Sequence, residues 1–95
     1  MRSSPTVTHV RFTPSRPLDA HAGLLGFVTC TVEDLFEIDG VALRRTTRGE
    51  LRLSFPARTD SSGRRHTILR PLHAAAWRSM ERQVFWALQS QGVLS

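Results

Sequence analysis

The sequence predicts an α+β fold: a small antiparallel meander of about five strands packed against one C-terminal helix. Three observations point to it. Between residues 6 and 70 apolar residues recur mostly in alternation with polar ones, the period of a half-buried strand. The runs are joined by short polar turns, which suit hairpins and are too short for the crossovers of a parallel sheet. After Pro71 the period changes to that of a helix. A chain of 95 residues, 40% of them hydrophobic, supports one domain with one small core, spanning about residues 6 to 90.

The first strand is expected over Thr6 to Phe12, with Thr8, Val10 and Phe12 on one side and Val7, His9 and Arg11 on the other. Residues 13 to 23, rich in Pro and turn formers, read as a loop. Leu24 to Val32 is a second strand that places Val28, Cys30 and Val32 on one face and Phe27, Thr29 and Thr31 on the other. The third runs from Leu35 to Leu43 and straddles Gly40, where a bend or bulge is expected. Arg44 to Gly49 then has turn composition, and Leu51, Leu53 and Phe55 alternate with Arg52 and Ser54 until Pro56 stops the ladder. A second polar turn, Arg58 to Gly63, precedes a weaker fifth strand over Arg64 to Arg70.

The helix is predicted to follow Pro71, to run about five turns and to stop at Gly92, with no Ser, Thr, Asp or Asn cap near Leu72. Trp77, Met80, Val84, Ala87 and Leu88 share one arc of the helical wheel, which should pack on the sheet near Leu51, Leu53 or Phe55. Glu81 lies inside that arc, so its carboxylate needs a partner, for which an arginine of the sheet is expected. Trp86 lies opposite Trp77, on the polar side next to Arg82. It reads as an exposed or interface residue, a subunit contact ahead of a base-stacking platform.

Composition excludes several function classes. The longest apolar or Gly stretch, Gly23 to Val28, is far short of the ~20 residues of a membrane span. Met1 to Pro5 lacks the apolar core of a signal peptide, and one cysteine permits no intrachain disulfide, so a cytoplasmic protein is expected. His9, His21, His66 and His73 lack metal-ligand spacing, and Cys30 has no cysteine companion. Glu33, Asp34, Glu37 and Asp39 read as a solvated acidic cluster rather than a catalytic pair. No nucleophile elbow or phosphate-cradling Gly loop is present, and neither an enzymatic activity nor a cofactor or small-molecule substrate is expected.

Charge is the remaining signal. All 13 basic residues are arginine and the net charge is +5. Residues 1 to 40 carry −2, residues 41 to 70 carry +6 and residues 71 to 95 carry +1. The candidate binding residues are Arg44, Arg45 and Arg48 in one turn, Arg58 after Pro56, Arg64 and Arg65 after Gly63, then Arg70, Arg78 and Arg82. Planar guanidinium groups grip phosphate bidentately, which points to DNA or RNA. The other reading is a protein-interaction module that uses a sheet edge and Trp86, its arginines serving solubility.

Pro56, six residues, Gly63, seven residues and Pro71, preceded by a strand ending in Phe55 and followed by a helix, is a pattern that resembles the stage V sporulation protein G (SpoVG) family. Val7, Val10, Arg11 and Phe12 look like that family's opening V-x-x-V-R-hydrophobic strand. Gly26 to Val32, Val41 to Leu43 and Gly49 to Pro56 resemble its next three strands. The resemblance implies a small α+β fold, a homodimer assembled through sheet edges, and nucleic-acid binding linked to bacterial gene regulation and to septation or sporulation. It also implies that Arg58 belongs to the basic tract after the family's proline, that Arg64 and Arg65 follow its Gly, and that Arg70 and Arg78 approach the helix start.

Overall fold

Four strands lie in chain order in one antiparallel sheet: β1 (Val7–Pro14), β2 (Leu24–Val32), β3 (Phe36–Arg45) and β4 (Leu51–Ser54). The structure is a computed structural model that describes residues 5–94; residues 1–4, most of the polar start of the chain, and residue 95 lie outside it. A short helix α1 (Pro17–His21) joins β1 to β2. A separate two-stranded sheet of β5 (Ala57–Thr59) and β6 (Arg65–Thr67) precedes the long helix α2 (Ala74–Ser90). The fold is α+β, as its periodicities predict.

Two bulges set which side chains reach the core. In β3 the expected irregularity occurs, because the register passes from Val28↔Val41 to Cys30↔Ile38 and leaves Asp39 and Gly40 opposite Thr29 alone. Asp39 steadies it by accepting from Thr29 Oγ1 and from the Gly40 amide, each at 2.8 Å. In β1 the register passes from Thr8↔Thr31 to Arg11↔Thr29, with His9 in a left-handed conformation at φ +52°. That extra residue overturns the simple alternation expected there: Val7 and Val10 both turn to the core, while His9 turns out to solvent. β1 also runs two residues further than expected, to Pro14.

Within the expected loop, α1 forms because Pro17 occupies a first-turn position, where its missing N–H costs nothing, and Asp19 pairs with Arg16 at 3.0 Å. The predicted fifth strand is shorter than expected and sits elsewhere. Only Arg65–Thr67 is extended, and it pairs with Ala57–Thr59 rather than with the main sheet. Pro56, lacking an N–H, ends the β4 ladder, and its carbonyl instead accepts from Ile68 and Leu69 at 2.9 and 3.3 Å. The polar turn thereby narrows to Asp60–Gly63, between the unexpected β5 and the shortened fifth strand, here β6.

The helix begins at Ala74, and its cap is His73, whose Nδ1 accepts from the Ala76 amide at 3.3 Å. Its apolar arc falls as predicted. Met80, Val84 and Leu88 are buried with Val28 and Cys30 of β2, Val41 and Leu43 of β3, and Leu53 and Phe55, while Trp77 and Ala87 are half-buried beside them. Each fully buried side chain of this kind contributes roughly 1.5–3 kcal/mol. Phe55 and Trp77 meet edge to face with ring centroids 5.1 Å apart. Burial pushes the Cys30 thiol up, which leaves it a packing residue rather than a nucleophile.

Helix side chains also cover the backbone at both edges of the sheet. On the β4 side, buried Glu81 accepts from the Leu53 amide at 2.9 Å and from Arg52 Nε at 3.1 Å, the sheet arginine that its position demanded. On the β1 side, Gln83 accepts from the Val7 amide at 2.8 Å and donates to the Pro5 carbonyl, and Gln91 donates to the Val10 carbonyl at 2.8 Å. These bonds satisfy edge groups that otherwise template pairing with another chain. No helix among the described residues is long and apolar enough to cross a membrane.

Candidate nucleic-acid interface

Three elements carry the nine candidate arginines. Arg44 and Arg45 end β3 and Arg48 lies in the turn that follows. Arg58, Arg64 and Arg65 belong to the β5–β6 arm, with Arg70 on the segment leaving it. Arg78 and Arg82 lie on α2. All nine are exposed, and none is within ion-pair distance of a carboxylate among the described residues. By contrast, the described arginines outside the set, Arg11, Arg16 and Arg52, each hold one: Glu37 at 3.0 Å, Asp19 at 3.0 Å and Glu81 at 3.1 Å. Native pairing thus engages the described arginines outside the candidate set and leaves the candidates' charge unspent.

Strand β3 separates the two signs. Glu33 and Asp34 form the left-handed turn before it and Glu37 and Asp39 lie in its first half, whereas Arg44, Arg45 and Arg48 follow its far end. Glu37 and Arg44 are seven steps apart, roughly 23 Å at about 3.3 Å per residue. That exceeds the screening length of ~8 Å at physiological salt, so the acids do not neutralise the basic end. Within the basic end, Arg44 stands directly across from Arg52. Such a like-charge pair is unfavourable, and Glu81 draws the Arg52 head round the edge of the sheet, which leaves Arg44 to face solvent. Arg45 donates to the Gly49 carbonyl at 3.2 Å and so stiffens the turn that presents Arg48.

The arm is held by one carboxylate. Asp60 Oδ1 accepts from the Ser62 amide, the Ser62 hydroxyl and the Arg64 amide at 2.9, 2.7 and 2.9 Å, while Oδ2 lies 2.6 Å from His66 Nε2. With His66 first and Ser62 and Arg64 after it, these bonds hold the Asp60 carboxyl down at about 2, against an ordinary 3.8. Gly63, at φ +86°, supplies the left-handed residue that closes the turn. The register Arg58↔His66 and Thr59↔Arg65 puts Arg58 on one face of the ribbon and Arg65 on the other. Arg64, adjacent to Arg65 and opposite Asp60, falls on the face of Arg58. The arginines that sequence treats as one pair therefore point to opposite sides.

On α2, Arg78, Arg82 and Trp86 follow one another at four-residue spacing on the outer face, and Trp86 is 70% exposed. Arg82 and Trp86 also line a groove of about 890 Å³ between the helix and the β1 bulge, together with His9, Val10 and Phe85. Sequence reasoning missed His9, because no local pattern marks that bulge, and missed Gln83 and Gln91, whose partners Val7 and Val10 lie 76 and 81 residues away. Among the described residues no three His, Cys, Asp or Glu side chains gather to hold a metal ion. Comparison with protein-family profiles and with curated protein sequences finds no match.

Proposed function

We propose that the chain is a SpoVG-like, non-catalytic nucleic-acid-binding regulator of the septation or sporulation type. It acts as a homodimer in the bacterial cytoplasm and grips DNA or RNA phosphates through its unpaired arginines. The observation that carries this reading is the partition of the guanidinium groups. A merely solubilising charge has no reason to stand outside every ion pair among the described residues, whereas a phosphate-binding surface loses affinity if its arginines are already paired. The contacts supply affinity without fixing sequence. With six phosphates engaged, log affinity should fall against log salt with a slope of about −5 on duplex DNA.

Salt titration of binding to a mixed nucleic-acid pool tests the proposal. Replacing Arg64 and Arg65 together with Ala is expected to weaken binding to all sequences alike and to flatten that slope by about one unit, because the two face opposite sides of the ribbon and one of them meets a given strand. Arg11→Ala, which removes a guanidinium already engaged by Glu37, is the control and should change neither. Unaltered affinity and slope in the double variant would return the arm to a solvated face. The homodimer is tested by sedimentation at micromolar concentration, where a lone 10.7 kDa species counts against it. The alternative, an interaction module, draws support from exposed Trp86, but its sheet-edge component, like pairing of the two homodimer copies through those edges, is weakened because Glu81 and Gln83 already occupy the Leu53 and Val7 amides.

A further inference from the structure

The groove between the β1 bulge and α2 is lined by side chains that the core does not use. His9 is a non-glycine residue at φ +52°, an uncommon conformation that the bulge requires and that His adopts more readily than most residues. The other two such residues, Glu33 and Asp34, lie in a hairpin turn, where the conformation is ordinary. The His9 bulge occurs inside a strand, and its effect is to keep Val10 in the core while His9 stands at the groove, its Nδ1 3.1 Å from the Thr8 hydroxyl. Across from it Trp86 presents a large exposed ring, with Phe85 and Val10 adding apolar wall. Arg82 lies one turn earlier, about 6 Å along the helix axis, and has no carboxylate partner among the described residues.

Among the described residues, the ionisable side chains lining the groove are Arg82 and His9, and none is acidic. Its occupant therefore has to combine an anionic group with a flat apolar one. At about 890 Å³ the groove is within the range of sites that hold a small planar ligand. An extended peptide strand fits less well, because the bulge breaks the edge of β1 and the Val7 amide and Val10 carbonyl are already bonded to Gln83 and Gln91.

We propose that this groove is a base-stacking site for single-stranded nucleic acid: one unpaired base lies on Trp86 while its phosphate is held by Arg82, with His9 closing the opposite wall. The inference rests on the nucleic-acid reading above and deepens it, since the arginine surface holds the backbone of any strand, whereas this site requires a base free of a duplex.

The test compares oligothymidylate with an abasic strand of equal length and charge. The base-bearing strand should quench the exposed Trp86 component of tryptophan emission, leaving that of half-buried Trp77, and the abasic strand should not. Trp86→Ala, at an exposed position where folding is unaffected, should weaken oligothymidylate binding about ten-fold. It should leave the affinity for the abasic strand and the salt slope unchanged. Arg82→Ala should flatten the slope on both strands by about 0.7. If wild type and Trp86→Ala show no preference for the base-bearing strand while the salt slope persists, the stacking site is overturned and the arginine surface stands. If neither strand binds, both readings fall. If Trp86→Ala instead dissociates a dimer and leaves base-dependent quenching intact, the groove is a contact between copies and the proposal is wrong.

Discussion

The sheet–helix body and the β5–β6 arm are built on opposite principles. In the body, Val28, Leu43, Val84 and Leu88 are essentially inaccessible, and the buried Glu81 carboxylate is tied to backbone. In the arm every residue from 61 to 70 is exposed, and its shape comes from one carboxylate, one glycine and a three-residue ladder. The body is therefore cooperative, and a change at one buried atom is felt throughout. The arm is held locally, so its arginines can change without cost to the fold. An interface that must expose charge is best carried on such an appendage, where no desolvated guanidinium burdens the core.

The largest expected effect comes from setting a charge into the body. Val84 is 1% exposed, and Val84→Asp should cost about 3–5 kcal/mol, enough to unfold a domain of this size. Thermal or urea unfolding reads it directly, and an unchanged midpoint would mean that α2 does not pack through this face.

A smaller effect is expected where the helix covers the β4 edge. Glu81→Ala leaves the Leu53 amide without an acceptor and frees Arg52, so a loss of about 2 kcal/mol is expected. Glu81→Gln keeps an acceptor for the amide and should recover about half of that. If the two variants are equally destabilised, the ion pair matters and the edge bond does not, which would remove one support for the covered edge.

The contrast also explains what could be read from the sequence. Body features that depend on local pattern were legible: β2 with its two faces, the Gly40 bulge, the helical arc and the need of Glu81 for a sheet arginine all follow from periodicity and burial. Features that depend on a partner distant in the chain were not. His9 reads as an ordinary outward residue until β2 is set beside it, and Gln83 finds Val7 across 76 residues. The arm escaped for a different reason. Three-residue strands lie below what a period can reveal, and only the pairing of Arg58 with His66 shows that Arg64 and Arg65 face apart. Of the site, the exposure of Trp86 could be read from the sequence, but not the groove that it and Arg82 share with His9.

The smallest expected effect concerns the arm and should leave the body untouched. Asp60 is lowered from 3.8 to about 2 by its bonds to His66, Ser62 and Arg64. A carboxylate whose folded value is depressed stabilises the structure that holds it at pH above the unfolded value, and loses that contribution as pH falls through the folded one. The turn's contribution from Asp60 is thus complete above about pH 4 and disappears towards pH 2. Carboxyl NMR of Asp60 should show the low midpoint, and the Ser62 and Arg64 amide signals should move with it. Asp60→Asn should loosen these amides at neutral pH, seen as faster hydrogen exchange confined to the arm, while the unfolding midpoint of the body stays where it was. Such a variant should also retain the salt slope on nucleic acid, because it alters how the arginines are presented and not how many there are. An Asp60 midpoint near 3.8 would show that the turn is not formed in solution. A lowered body midpoint in Asp60→Asn would show that arm and body are one cooperative unit after all.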